Sequence, residues 1–186
     1  MENTVKNEII KIAEDLFFNK GYKSCSLQDI AGALKIKPAS LYYHFPGGKE
    51  EIYIEVLKIR LDHYKNKISD IYKDCSNIED FIKNFANWYL EQPTMNMDLI
   101  AKVDMPHLTP KSKANLMRLV SESLFQPLNL IFLEQQDELK NIDKMRLVGI
   151  YINMLNGMSF ALKQGFSKKE ALIQDFMEIL LHGISK

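Results

Sequence analysis

The chain has 186 residues, enough to bury a real core in one domain or two small ones, and no run of about eighteen apolar residues, which excludes a membrane-spanning helix. Its 24 basic and 24 acidic side chains balance, so no whole-molecule field draws it to nucleic acid or to a membrane surface, and any electrostatic attraction must be local. Cys25 and Cys75 lie in separate segments with no metal or redox spacing, and the opening MENTVKNEIIKIAEDLFFNKGY lacks the pattern of a secretion signal, so reduced thiols in a cytoplasmic protein are expected.

Glycine and proline are sparse, and apolar residues recur at three and four almost throughout, which predicts an all-α protein without strands. Ile9, Ile12, Ala13, Leu16 and Phe17 share one face of a first helix. It is expected to stop at Gly21, in the left-handed conformation, with Tyr22 folding back onto the last turn. Ser26 and Asp29 have the spacing of a capping box for a second helix of about nine residues, with Leu27, Ile30, Ala31 and Leu34 as its stripe. Lys35-Ile36-Lys37 is a tight turn, and Pro38 suits the first position of a third helix, because its missing N–H would have been unpaired there anyway. Helix, short turn, helix is the helix-turn-helix arrangement.

A long helix follows over 49–73, with Ile52, Val56, Ile59 and Ile68 apolar. Ser76 with Glu79 predicts a capped helix to about Glu91, stopped by Pro93. A short helix is expected from Met97 to Met105, then one capped by Thr109 with Pro110 in its first turn, interrupted at Pro127 and continuing toward Gln135. Asn141 to Gln164, closed by Gly165, and a last helix opened by Ser167 with Glu170 complete the chain. The short-helix and long-helix parts meet near Pro46-Gly47-Gly48, giving expected domains 1–48 and 49–186.

The stretch IIKIAEDLFFNKGYKSCSLQDIAGALKIKPASLYYHFPGGKEEIYIEVL holds an Ala-x-x-Leu-Phe helix ending in Gly-Tyr, then Ser-Leu-x-Asp-Ile-Ala, the turn, Leu-Tyr-Tyr-His-Phe and Lys-Glu-Glu. In that order and spacing it resembles the DNA-binding domain of the TetR family of transcriptional regulators. The resemblance covers the first quarter of the chain closely. It implies a three-helix helix-turn-helix DNA-binding domain followed by a helical ligand-binding and dimerisation domain. It further implies a homodimer that reads a near-palindromic operator in double-stranded DNA and a repressor that a small molecule releases.

On that reading the helix from Pro38 enters the major groove, Leu41 and Phe45 face the core, and Tyr42 and His44 bond phosphates. Tyr43 either joins them or packs under the helix. Lys37 and Ser40 face base edges or adjacent phosphates, Gln28 reaches adenine or a phosphate, and Ser26 either only caps its helix or also touches phosphate. Lys49 resembles the family's phosphate-gripping lysine, although Pro46-Gly47-Gly48-Lys49 carries one residue more than the usual Phe-Pro-Ser-Lys. From Leu16 to Lys49 five lysines face one aspartate, a local surplus in a neutral chain. Pro38 and Ala39 offer little hydrogen bonding, so specificity leans on DNA shape as well.

In the second part Phe81, Phe85, Trp88, Tyr89, Met117, Phe125, Tyr151, Met154 and Met158 are the candidates to line a pocket for an apolar or aromatic effector, or simply to fill a core. Asn87, Asn153 and Asn156 either orient that ligand or sit at helix contacts. The last two helices, with Leu147, Ile150, Leu155, Phe160 and Leu162 on one and Ala171, Phe176, Ile179 and Leu180 on the other, carry more apolar surface than one core needs, and in the family's dimers this pair meets its symmetry mate, where Gly157 would allow close approach. His63, His107 and His182 share no metal spacing. No nucleophile–base pair, paired carboxylates or phosphate-cradling loop is present, so neither catalytic residue nor cofactor is expected. The competing reading is a ligand- or protein-binding module with a degenerate helix-turn-helix.

Overall fold

The structure, a computed structural model, describes residues 2–92, 100–139 and 142–184, and among them nine α-helices and no strand are found. They are α1 (Glu2–Lys20), α2 (Leu27–Ala33), α3 (Pro38–His44), α4 (Gly48–Lys73), α5 (Ile78–Glu91), α6 (Pro110–Val120), α7 (Gln126–Glu134), α8 (Lys144–Lys163) and α9 (Lys169–Ile184). The chain divides into two compact units, one formed by residues 1–62 and 97–119, the other by 63–96 and 120–186. This division by packing differs from the expected 1–48 and 49–186, which is a division by role.

In the first unit Ile9, Ala13 and Phe17 of α1, Ile30 and Ala31 of α2, and Leu41 of α3 are all buried, as their spacing requires. Gly21 takes φ +80 and its N–H reaches the Phe17 carbonyl at 2.8 Å, ending α1 where expected. Tyr22 folds back so that its ring lies 5.9 Å from Phe17 and 4.5 Å from Tyr53 of α4. α4 keeps Ile52 and Val56 inside, but Ile59, expected among its apolar positions, is exposed.

The segment after the undescribed residues 93–99 belongs to this first unit, which no periodicity predicted. It holds a π-turn at Ile100–Asp104, a 3-10 turn at Met105–His107 and then α6. The expected helix from Met97 falls partly outside the described residues. Asp104 is buried and accepts the Tyr53 hydroxyl at 2.6 Å. The Glu50 carboxylate takes the N–H of Thr109 at 3.1 Å and its hydroxyl at 2.6 Å, adding negative charge at the start of α6. Burial works against Glu50 ionising, but the bonds from Ser112 and Thr109 and the nearby Lys113 outweigh it and lower its pKa.

The second unit packs α5, α7, α8 and α9 around Phe81, Phe85, Phe132, Tyr151, Leu155 and Phe176. Its α5 is capped by Asn77, whose side chain accepts the Asp80 N–H at 2.8 Å, one residue later than the expected Ser76–Glu79 box. That register buries Ile78 in the core from the first turn. Pro127 interrupts as expected, and the device is a π-turn over Ser121–Phe125. The Gln126 N–H bonds the Ser121 carbonyl five residues back, accommodating a ring that cannot donate to the usual ladder. α8 starts at Lys144 under an Asp143 cap and not at Asn141, which lies outside the described residues; it ends at Gly165, with φ +71. α9 opens at Lys169, two residues past Ser167, whose hydroxyl bonds the Lys168 carbonyl at 3.4 Å.

Candidate nucleic-acid interface

Ser26 and Asp29 close their box reciprocally. The Ser26 oxygen accepts the Asp29 N–H at 3.1 Å, and the Asp29 carboxylate accepts the Ser26 N–H at 2.8 Å and its hydroxyl at 2.5 Å. Lys20 donates to the other carboxylate oxygen at 2.9 Å. Led by the Ser26 hydroxyl, then by Lys20, these bonds hold the Asp29 carboxyl well below the usual carboxylate range. The Ser26 hydroxyl is turned onto Asp29 here, the cap geometry among its two readings.

The turn between α2 and α3 runs through Lys35 at φ +56, with the Lys35 N–H on Gly32 O at 3.1 Å and the Ile36 N–H on Ala31 O at 3.0 Å. This is the paired-bond helix end that glycine usually serves, here occupied by an exposed lysine. It brings Pro38 to the first turn of α3 in the expected register.

α3 then sorts its side chains by face. Leu41 and Phe45 are buried, while Lys37, Ser40, Tyr42 and Tyr43 are exposed together with Gln28 at the start of α2. Tyr43 is 76% exposed and meets only the edge of His44, so of its two readings the outward one holds and packing under the helix does not. His44 is half-buried with Nδ1 enclosed and unbonded, which leaves Nε2 for any phosphate bond.

The additional residue before α4 is absorbed by a tight turn in which the Gly48 N–H bonds Phe45 O at 2.9 Å. Gly48 has φ +65, and a Cβ there would lie 3.2 Å from Cε1 of Tyr42, so this position needs glycine twice over. Gly47 donates its N–H to Glu51 at 2.7 Å. Lys49 does not extend toward solvent. Its ammonium donates to the carbonyls of Tyr22 at 2.9 Å and Cys25 at 3.0 Å and lies 4.2 Å from the centre of the Tyr22 ring.

The candidate effector residues are mostly core. Phe81, Phe85, Tyr89, Tyr151 and Met158 are buried in the second unit, with Trp88, Phe125 and Met154 partly buried against them. Tyr151 donates to the Ile82 carbonyl at 2.8 Å and Tyr89 to Asn156 at 2.7 Å, so these phenols are satisfied within the protein and burial raises their pKa. Asn156 thus sits at a helix contact, while Asn87 and Asn153 bond carbonyls of their own helices. Met117 is a correction: it is 56% exposed and lies in the first unit, because the segment through α6 packs there. A surface groove of about 480 Å³ runs between α5 and α9, walled by Glu79, Lys83, Asn87 and Met177, and contains none of the nine.

The family profile described as "Bacterial regulatory proteins, tetR family" matches residues 9–56, the span that holds the capping box, α3 and the first turns of α4. Over 80 residues the chain is 34% identical to the HTH-type transcriptional regulator LmrA of Bacillus subtilis, covering 43% of each. Over 64 residues it is 45% identical to IcaR of Staphylococcus aureus, a biofilm operon icaADBC HTH-type negative transcriptional regulator, covering 34% of each. The matches therefore span less than half the length of these curated relatives. A TetR transcriptional regulator from Legionella pneumophila superimposes with a TM-score of 0.74 at 25% identity, covering 96% of both chains. AibR, solved in complex with isovaleryl coenzyme A and operator DNA, shares the fold with a TM-score of 0.73 at 18% identity over 94% of this chain and 96% of its own.

Proposed function

We propose that this chain, which belongs to the TetR family by its residues 9–56, is a DNA-binding transcriptional regulator, a repressor that leaves its operator when a small apolar or aromatic effector binds. The observation that carries the reading is the sorting of α3. A seven-residue helix buries Leu41 and turns Ser40, Tyr42 and Tyr43 to solvent, with Lys37 exposed at its N-cap and Gln28 exposed on α2. A helix whose only tasks were packing and solubility has no use for two exposed tyrosines, whereas phosphates and base edges use hydroxyls, amides and an ammonium.

In this reading Tyr42, Tyr43 and His44 grip phosphates, Lys37, Ser40 and Gln28 face bases or neighbouring phosphates, and Ser26 sets the helix that presents them. Residues 1–48 form the DNA-binding domain and 49–186 the effector and dimerisation domain of a cytoplasmic protein without catalytic activity. Dimerisation is supported by an exposed stripe on α8, where Ile150, Gly157 and Phe160 recur on one side, and by exposed Ile179 on α9. A Cβ on Gly157 would meet nothing within 4 Å, so intrachain packing gives no reason for glycine there.

Of the nine effector candidates, the partly buried Trp88, Phe125 and Met154 are reachable without unpacking the core. AibR, solved in complex with isovaleryl coenzyme A and operator DNA, supports a fold that accommodates a small molecule as well as DNA. An effector acts by binding the operator-incompetent form more tightly, since a ligand shifts an equilibrium only through its differential affinity. The test is selection of duplexes from a random pool by the purified protein: enrichment of an inverted repeat supports the reading, and enrichment of no sequence contradicts it.

A further inference from the structure

We propose that Lys49 is a positioning residue of the recognition surface and not a phosphate ligand; this rests on the reading of that surface as DNA-binding. The Lys49 ammonium spends two of its three protons on the carbonyls of Tyr22 and Cys25, and the face of the Tyr22 ring lies 4.2 Å away. Both carbonyls belong to the connection between α1 and α2, and the lysine belongs to the first turn of α4. One side chain therefore ties the entry of α2 to the entry of α4.

Each tied point carries part of the surface. The Cys25 carbonyl immediately precedes the Ser26 cap, so holding it fixes the start of α2 and with it Gln28. On the other side Gly48, adjacent to Lys49, packs against the Tyr42 ring. The lysine thus fixes Gln28 relative to Tyr42, a spacing that must match the DNA backbone across the groove. A compact ammonium with tetrahedral donors fits two converging carbonyls over a ring face; a planar guanidinium does not present its protons that way, although it grips phosphate at least as well. Phosphate charge is left to exposed cations such as Lys37.

The experiment compares the full-length protein with Lys49→Arg, Lys49→Met and Lys37→Met on one selected duplex and on unrelated DNA. Each is measured across a salt series, well below its melting temperature. Both Lys49 variants are expected to lose about tenfold in operator affinity, the scale of hydrogen bonds to a charged group, with little change on unrelated DNA and an unchanged salt slope. Lys37→Met is expected to melt like the parent and to lower the salt slope by about 1.8 per dimer, two phosphate contacts at about 0.9 each. Wild-type affinity in Lys49→Arg, or a flattened slope in Lys49→Met, overturns the inference and restores a phosphate contact. If Lys49→Met does not fold, Lys49→Arg decides by itself. Absence of salt-dependent binding by the parent protein overturns the DNA-binding reading and this inference with it.

Discussion

Lys35 turns its backbone left-handed, at φ +56, beneath a side chain that disfavours it by about 1 kcal/mol relative to glycine. Lys35→Gly is therefore expected to raise the melting temperature, with a gain of about 1 kcal/mol in denaturant titration; no gain would mean the turn is not strained. Nearby, Tyr53 donates to buried Asp104, and Tyr53→Phe leaves that carboxylate without its partner, an expected loss of about 2 kcal/mol. The same residues set an alkaline limit. Burial pushes the Tyr22 phenol up to about 12, and burial together with the Asp104 bond pushes Tyr53 further. A phenol whose folded pKa is raised contributes stability that is complete below its unfolded pKa, about 10, and lost as pH rises through the folded value. Thermal melts should fall as pH climbs from about 10 toward 12, less steeply in Tyr53→Phe; a flat profile would contradict this. The sequence showed Tyr22 folding back, because Gly21 fixes the chain direction locally. It carried no sign of Asp104 beneath Tyr53, because that pair joins residues 51 apart in sequence and follows no periodicity.

Among the elements, α1 to α3 were legible because each end is set by a neighbour within a few residues: Gly21, Ser26 with Asp29, and Pro38. The start of α5 was read one residue early, since Ser76 and Asn77 both cap well and only burial of Ile78 chooses between them. Asn77→Ala should accordingly cost about 1 kcal/mol by denaturant titration and Ser76→Ala much less; the reverse order would return the cap to Ser76. The turn into α4 is more demanding. Gly48→Ala places a methyl against Tyr42 at positive φ, so a stability loss of about 1 to 2 kcal/mol is expected, together with weaker DNA binding through displacement of Tyr42. Wild-type stability in that variant would contradict the close approach. The placement of residues 100–119 with the first unit was not legible, because an amphipathic helix records that it has a buried side and not which partner buries it.

For the whole molecule, the fold class followed from a helical periodicity that survives almost everywhere, but the division between effector residues and core did not. Aromatic and methionine side chains look alike in sequence whether they face a ligand or one another, and the structure sends most of them to one another. Assembly has its own signature in the exposed α8 stripe. On the proposed dimer, Ile150→Glu should leave the circular dichroism of the chain intact and give a monomer in sedimentation, while an unchanged dimer would move the interface elsewhere. On the proposed reading, loss of that dimer should also abolish tight operator binding, because each protomer would supply one recognition helix.

The most direct measurement is binding of the purified protein to the DNA upstream of its own gene across a salt series, with Tyr42→Phe and Lys37→Met in parallel. Binding that is specific, falls steeply with salt and weakens in both variants is the predicted result. Weak binding that salt does not change, and that neither variant alters, would mean that the exposed face of α3 does not meet nucleic acid.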